Sequence, residues 1–560
     1  MRRLLSGLAI FIGCSFVWLS AARGQGRGGG AWSTAGGDPQ LTGWQKSEPK
    51  LNKNTAKDIK LLWKLKLGSE EVTEPTEPLF GGHSITNTGF KDIAVILGPS
   101  NTLTSVDYEL GIILWQKQIG AETKHSASSC PNGQFSAMVI QPAPAFGGGR
   151  GRGAVGATPV APPPQPPAPP PAISPRVGAG LSGGGSGFGG SRGIFVLTSD
   201  GFLHEQILTN GWDYGPPIKF VSANANLSSP TISSSTMYVN TSGGCGGSPN
   251  GVWAIDMSTN AYEQSSYATK DINATGLDGP ALSSDGKTLY VATGGGVASS
   301  GIYPNGIVAL DGKTLVLKDY YSPSGADATV KTNINVSPVV FPFEGRDLVA
   351  AYIVGGRLAL LDSASLGGAN HSTALATTMP ISRNGGSGAW GRLASAQDSS
   401  GVRWVFVSIR GPLVSDTKFL ATNGQTPNGS VAAFRVEKQA GKTVLTPAWV
   451  SPDVTIPSPA VIVTNSPPAA AGPGGVALTT TNPPAVMSGG LVFVLGEGET
   501  GKSHAKLFAL DAETGAQVYS SGDQIESSAN GASISVSGSH VLFLTSDNTL
   551  YSFGIAYERD

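Results

Sequence analysis

The chain is 560 residues long with a formal net charge of −1, and it is 13% charged against 39% hydrophobic, with 78 glycines and 39 prolines. A balance this close to neutral excludes global steering toward nucleic acid or anionic lipid. Few charges and many turn formers disfavour long helices and suit an all-β protein of many short strands.

The first 24 residues, MRRLLSGLAIFIGCSFVWLSAARG, join a basic start (Arg2, Arg3) to an apolar run from Leu4 to Leu19 and small residues before Gln25. They read as a secretory signal peptide, with a retained anchor as the alternative. The expectation is a periplasmic or secreted protein, residues 25–560, with no later stretch able to span a membrane. Export leaves Cys130 and Cys245. An oxidising compartment permits a disulfide between them; two separate buried thiols are the alternative.

Next comes a strand with no neighbour of its own, IKLLWKLKLG (59–68). LTSVDYELGIILWQKQIG (103–120) then gives strand, turn and strand, with Asp107, Gly111 and Trp115 in fixed spacing. Residues 141–192 are Pro-rich, then Gly/Ser-rich. They have too few apolar side chains to offset their ordering entropy and read as a disordered insertion. Similar loops are expected around 411–428 and 464–486. The phrase at 103–120 recurs as GFLHEQILTNGWDYG (201–215, Ile207 in place of Asp), GVWAIDMSTNAYEQSSY (251–267, Asp256), GIVALDGKTLVLKDYY (306–321, Asp311) and GRLALLDSASLGG (356–368, Asp362). It returns as GSVAAFRVEKQAGK (429–442, Arg435 in place of Asp), KLFALDAETGAQVYSSG (506–522, Asp511, Thr514, Gly515) and, cut short, NTLYSFG (548–554).

Several intervals lie near 50, the period of a four-stranded propeller blade. The sequence predicts a β-propeller of eight four-stranded blades, with seven as the alternative because two copies lack the aspartate, closed by the N-terminal strand pairing with the incomplete C-terminal blade so that no edge stays free. The recurring aspartates are expected to hold turns by accepting backbone N–H groups. The glycines take left-handed positions and the aromatics pack between blades.

Chemistry is sparse. The six histidines show no metal-ligand spacing, there is no G-x-S-x-G elbow, and GEGETGKS (496–503) reads as a hairpin rather than a phosphate loop because no helix follows it. A carbohydrate-binding or polysaccharide-cleaving propeller has no paired carboxylates in evident loops to support it. RNGGSGAWGRLAS (383–395) offers Arg383, Trp390 and Arg392 as candidate cofactor-binding residues, able to stack on or pair with a planar anionic ligand. An Arg–Trp packing pair in an inter-blade groove is the structural alternative.

The A-x-D-x-x-T-G-x-x-x-W spacing, matched by Ala509, Asp511, Thr514 and Gly515 with Tyr519 for Trp, resembles the tryptophan-docking motif of the PQQ-like propellers, the quinoprotein alcohol dehydrogenase-like superfamily. Asp107, Gly111 and Trp115 match it too. The segment with Trp32, Gly36, Gly37, Asp38, Leu51, Asn52 and Trp63 is similar to that superfamily's opening. The resemblance implies a propeller over nearly all of the mature chain. It also implies one of two functions: oxidation of alcohols, aldehydes or sugars with pyrroloquinoline quinone and calcium, or non-catalytic binding of envelope proteins. The chain has no adjacent Cys-Cys pair and no CxxCH for covalent haem. The leading expectation is therefore a non-catalytic scaffold, acting as a monomer. A quinone- and calcium-dependent dehydrogenase is the alternative.

Overall fold

Period-two patterning makes the strands and Gly/Asn/Asp clusters make the turns, and the computed structural model arranges them as eight blade sheets around one axis, with a small parallel pair, Val336–Ser337 and Gly391–Arg392, beside them. It describes residues 32–73, 75–121, 130, 133–142, 192–259, 261–296, 301–323, 336–382, 388–414, 416–465, 487–498 and 503–556. The signal-peptide reading falls outside these residues, as does 143–191 of the expected insertion.

Each repeated phrase becomes the third strand of one blade: Thr102–Asp107, Phe202–Ile207, Gly251–Asp256, Ile307–Asp311, Arg357–Asp362, Gly429–Gln439, Lys506–Asp511 and Thr549–Gly554, in blades one to eight. Blade eight has only three strands of its own (Ser535–Ser537, His540–Leu544, Thr549–Gly554). Its fourth is Lys60–Lys66, antiparallel to Thr549–Gly554 from Lys60↔Gly554 to Lys66↔Thr549. The ring is thus closed across the termini.

Burial follows position in the blade. The second strands Leu491–Gly496 and His540–Leu544 are buried at every residue, because neighbouring blades cover both their faces. Outermost strands alternate with solvent, as in Glu263–Ala268. Phe543, Tyr551 and Phe553 stack at 5.7–6.4 Å between centroids. Each such buried ring contributes about 1.5–3 kcal/mol.

Two expectations need correction. Arg435 is not at a turn: it lies mid-strand, opposite Thr446, and the hairpin runs on to Gln439↔Lys442. The alternation in SVAAFRVEK continues unbroken until Ala440-Gly441, so nothing stops the strand earlier. The 411–428 loop is not unstructured over its described part either: Ala421–Thr422 adds a parallel strand to Trp449–Val450 on the outer edge of blade six.

The inner edges of a propeller face the axis and carry unpaired backbone groups. Here residues 32–45 circle the axis and meet the inner edge of each blade in turn. The carbonyls of Trp32 and Ser33 accept from Phe80 and Ile140 of blades one and two, and Thr34 Oγ1 donates to the Pro230 carbonyl at blade three. The carbonyls of Pro39, Gln40, Thr42 and Gly43 accept from Leu282, Val340, Ser395 and Ile462 of blades four to seven. Gln45 Nε2 donates to the Val536 carbonyl of blade eight at 2.8 Å. Trp44–Gln45 also pairs in parallel with Val461–Val463. The segment that resembles the superfamily's opening is an axial plug.

Candidate functional site

Because the four strands of a blade alternate in direction, the loops entering each innermost strand and the loops joining second to third strands share one end, the loop end. The Asp turns lie at the opposite end. Asp311 Oδ1 accepts from the N–H groups of Lys313 and Thr314 and from Thr314 Oγ1 at 3.0–3.1 Å, and Asp511 Oδ1 accepts from Glu513 and Thr514 at 2.9 and 3.1 Å. Asp256 and Asp362 accept from Ser258 and Ala364 at 2.8 and 3.0 Å, and Asp107 more loosely from Leu110 at 3.4 Å. The Thr314 N–H is the main cause holding the Asp311 carboxyl below its usual range.

The docking aromatics act between blades. Trp63 of blade eight, Trp115 of blade one and Trp449 of blade six each donate their indole N–H to a turn carbonyl of the following blade: Tyr108, Leu208 and Ala512, at 2.9, 3.2 and 3.1 Å. Their rings lie on Gly111, Gly211 and Gly515, whose φ values are +65°, +69° and +72°. A Cβ on Gly111 or Gly211 would come within 2.6 or 2.7 Å of the ring, so glycine is required twice over. Trp449 escapes the motif spacing because the long blade-six hairpin displaces it. Tyr519, on Gln517–Ser520 of blade seven, packs at the blade-eight side, where no Asp turn follows.

At the loop end, Cys130 and Cys245 are joined as a disulfide with Cα atoms 6.0 Å apart. It ties the loop entering blade two to the second-to-third-strand loop of blade three.

Near the axis the same end carries a buried ion cluster. Arg392, with its side chain fully buried, donates from Nη1 to Glu77 Oε2 at 2.8 Å and to Asp278 Oδ2 at 3.1 Å. Glu77 also accepts from Trp32 Nε1 and from the Gly36 N–H at 3.3 Å, both on the plug. A Cβ on Gly36 would sit 3.1 Å from Arg392 Cδ, so the plug backbone lies directly against the arginine shaft. Burial pushes the Glu77 carboxyl up to about 7 against the pull of Arg392. Alongside, Arg410 covers the Trp390 ring at 3.8 Å and donates to the buried Glu497 at 2.6 Å. Burial likewise raises Glu497 to about 7.

Of the candidate trio, Arg383 lies outside the described residues. Trp390 packs on Arg410, and Arg392 is engaged with the two carboxylates. Glu77, Asp278, Arg410 and Glu497 escaped the sequence reading, since none sits in the repeat; an acidic residue beside an apolar strand in so lightly charged a chain was the only available signal.

Glu77, Gln134 and Asp278 form an acid-and-amide set at the axis, which invites a test for quinone and calcium. A calcium ion needs six to eight oxygens with most of the charge from carboxylates. Both carboxylates here are already bonded to one guanidinium. The cavity bounded by Glu77, Gln134, Asp278, Trp390 and Gly531 holds about 30 Å³, and a second one that also touches Glu77 and Gln134 about 10 Å³. Ligand pockets run to roughly 300–1,000 Å³. The residues present do not fit a tricyclic quinone with its cation. Among the described residues no group of three or more His, Cys, Asp or Glu side chains could hold a metal ion. Ser552, His540 and Glu109 line up at 2.8 and 3.3 Å, but Ser552 is fully buried and no substrate can reach it. Among the described residues no helix is long and apolar enough to cross a membrane.

No protein-family model matches the chain, and no curated protein matches its sequence. Solved structures do resemble it. Quinohemoprotein alcohol dehydrogenases from Comamonas testosteroni and Pseudomonas putida superpose with TM-scores of 0.54 and 0.55, each at 12% identity over 95% of this chain and 81% of theirs. A europium-containing methanol dehydrogenase superposes at 0.54 and 12% identity, over 94% of this chain and 98% of that one. At such identity the likeness is one of architecture: the chain has the eight-bladed propeller fold of the quinoprotein alcohol dehydrogenases.

Proposed function

We propose that this is an exported, non-catalytic propeller that binds envelope proteins through its loop end. The observation that carries the reading is the filled axis: the plug and the Glu77–Arg392–Asp278 cluster leave about 30 Å³ where a cofactor chamber would have to be. The Cys130–Cys245 disulfide supports an oxidising compartment, as does the signal-like N-terminus. Loops at one end of a rigid ring are well placed to meet partners. The dehydrogenase alternative is favoured by one feature, the convergence of Glu77, Gln134 and Asp278, and opposed by the arginine bonded to both acids.

The test is a titration of the purified protein with pyrroloquinoline quinone, with and without calcium, followed by absorbance and thermal shift. The same samples are assayed with an electron-accepting dye and alcohols, aldehydes and sugars. The expected result is no shift and no dye reduction, together with a specific protein partner captured from envelope extract. Stoichiometric quinone binding with dye reduction would overturn the reading, and so would an extract that yields no partner above background.

A further inference from the structure

We propose that Tyr303 and Tyr320 are a site of oxidative cross-linking, joined into an intramolecular dityrosine by a one-electron oxidant of the peroxidase class. This goes beyond the scaffold reading and does not depend on it. The chain has 13 tyrosines, so selectivity has to come from geometry. Tyr303 stands at the loop end of blade four, in the loop between the second and third strands, Thr288–Thr293 and Ile307–Asp311. Tyr320 lies near the end of the outermost strand of the same blade, Leu317–Tyr321. Their rings stack with centroids 3.8 Å apart and planes 25° from parallel. The buried rings of blade eight, by contrast, stand 5.7–6.4 Å apart.

Both tyrosines are half-buried, so they meet solvent while their neighbours hold them. The Tyr303 carbonyl accepts from Thr293 Oγ1 at 2.6 Å, and the next carbonyl, of Pro304, from Ser322 Oγ at 2.8 Å. His371 of blade five stacks on Tyr320 at 4.2 Å and 17°. Two rings that close and that nearly parallel cannot share one face, so His371 covers the face turned away from Tyr303. Asp319 fixes it there: Oδ1 lies 2.9 Å from His371 Nδ1, and Oδ2 accepts from the Leu366 N–H at 2.9 Å. Tyr320 is left with Tyr303 on its one remaining face. A radical formed on Tyr320 therefore couples within the chain rather than with a second molecule.

Stacked faces suit the reaction. Loss of one electron and the phenolic proton from each ring leaves two phenoxyl radicals, whose unpaired spin extends to the ortho carbons above and below the ring plane. A C–C bond forms between one ortho carbon of each ring. The hydrogen on each of those carbons then moves to its phenol oxygen and restores the aromatic rings. The chain loses two hydrogen atoms, and their electrons and protons reduce one hydrogen peroxide to two waters through the oxidant. Burial, and after it the neighbouring phenol, raise Tyr303 above its usual range, so the neutral phenol is what is oxidised. The Cys130–Cys245 disulfide fits an oxidising compartment, and among the described residues no free thiol competes for the oxidant. The bridge would tie the blade-four loop to its outermost strand.

The test treats the purified protein, at high dilution, with a haem peroxidase and one equivalent of hydrogen peroxide. Readouts are dityrosine fluorescence, intact mass and mass spectrometry of a tryptic digest. Cleavage at Lys313 and Lys318 separates the two tyrosines, so a bridge between them is read directly. The monomer should gain the fluorescence, lose two hydrogen atoms and yield a peptide pair joined at Tyr303 and Tyr320. Tyr303→Phe and Tyr320→Phe each keep the stacked ring but remove the phenol, and each should abolish that product with an unaltered melting temperature. Tyr214→Phe removes a tyrosine that is 49% exposed and should leave the yield unchanged. A monomer without the bridge, a bridge that maps to other tyrosines such as Tyr214, or a yield undiminished in either stacked-ring variant would each overturn the proposal.

Discussion

At Asp311 one carboxylate oxygen gathers two backbone N–H groups and a hydroxyl within three residues, while at Glu48 a carboxyl is carried into the interior. The two sites respond to pH in opposite senses. Burial pushes Glu48 from 4.5 up to about 7. A folded-state value above the unfolded one means that the folded chain binds more protons between those limits. The stability contributed by the protonated acid is fully present below about 4.5 and is lost as pH rises through 7. For Glu48 the loss is on the order of 3 kcal/mol. Glu497, also buried, is shifted in the same direction. The turn aspartate Asp311, held low, contributes stability that disappears only as pH falls below its usual range. The melting temperature should therefore peak in mild acid and fall toward pH 8, and Glu48→Gln should flatten that fall. Calorimetry across pH checks it; a parent profile that rises steadily to pH 8 contradicts it.

Between elements, the recurring unit is a tryptophan of one blade against the turn glycine of the next. This contact, together with the indole N–H bond to the turn carbonyl beside it, sets the packing of adjacent blades where it occurs. Trp449 is 1% exposed and rests on Gly515, at φ +72°. Gly515→Ala must both strain the backbone and displace the ring, and is expected to destabilise by about 1–3 kcal/mol. Trp449→Ala leaves a cavity and should cost about 3–5 kcal/mol. The double variant should lose less than the sum, because the two share one contact. Denaturant midpoints of the three variants measure this directly, and full additivity would separate the two residues.

On the scale of the molecule, the ring is fastened twice: by Lys60–Lys66 completing blade eight, and by residues 32–45 bonding the inner edge of every blade. The expected insertion interrupts neither fastening. It leaves from blade two between paired strands, where Ile140 lies opposite Ile194 and the Gln141 N–H donates to the Gly193 carbonyl at 2.9 Å. Removal of residues 143–191, with a short turn in their place, should preserve the β-sheet circular dichroism. It should raise stability by about 1–2 kcal/mol through the shorter loop. A deletion that fails to fold cooperatively would show that the segment does more than interrupt the chain. The turn aspartates and the unpaired strand at 59–68 were legible in the sequence, because strand alternation and turn chemistry act within about ten residues and repeat; the blade count was legible only as seven or eight, since the copies at Ile207 and Arg435 lack the aspartate. Arg435 misled because a turn position was inferred from spacing where the local β pattern simply continued. The axis could not be read that way. Arg392 meets Glu77 across 315 residues and Asp278 across 114. The sequence by itself determined the repeating unit and narrowed its number to seven or eight. Only the tertiary structure decided what fills the axis and which tyrosines stack, since both depend on loops of unequal length brought against their neighbours.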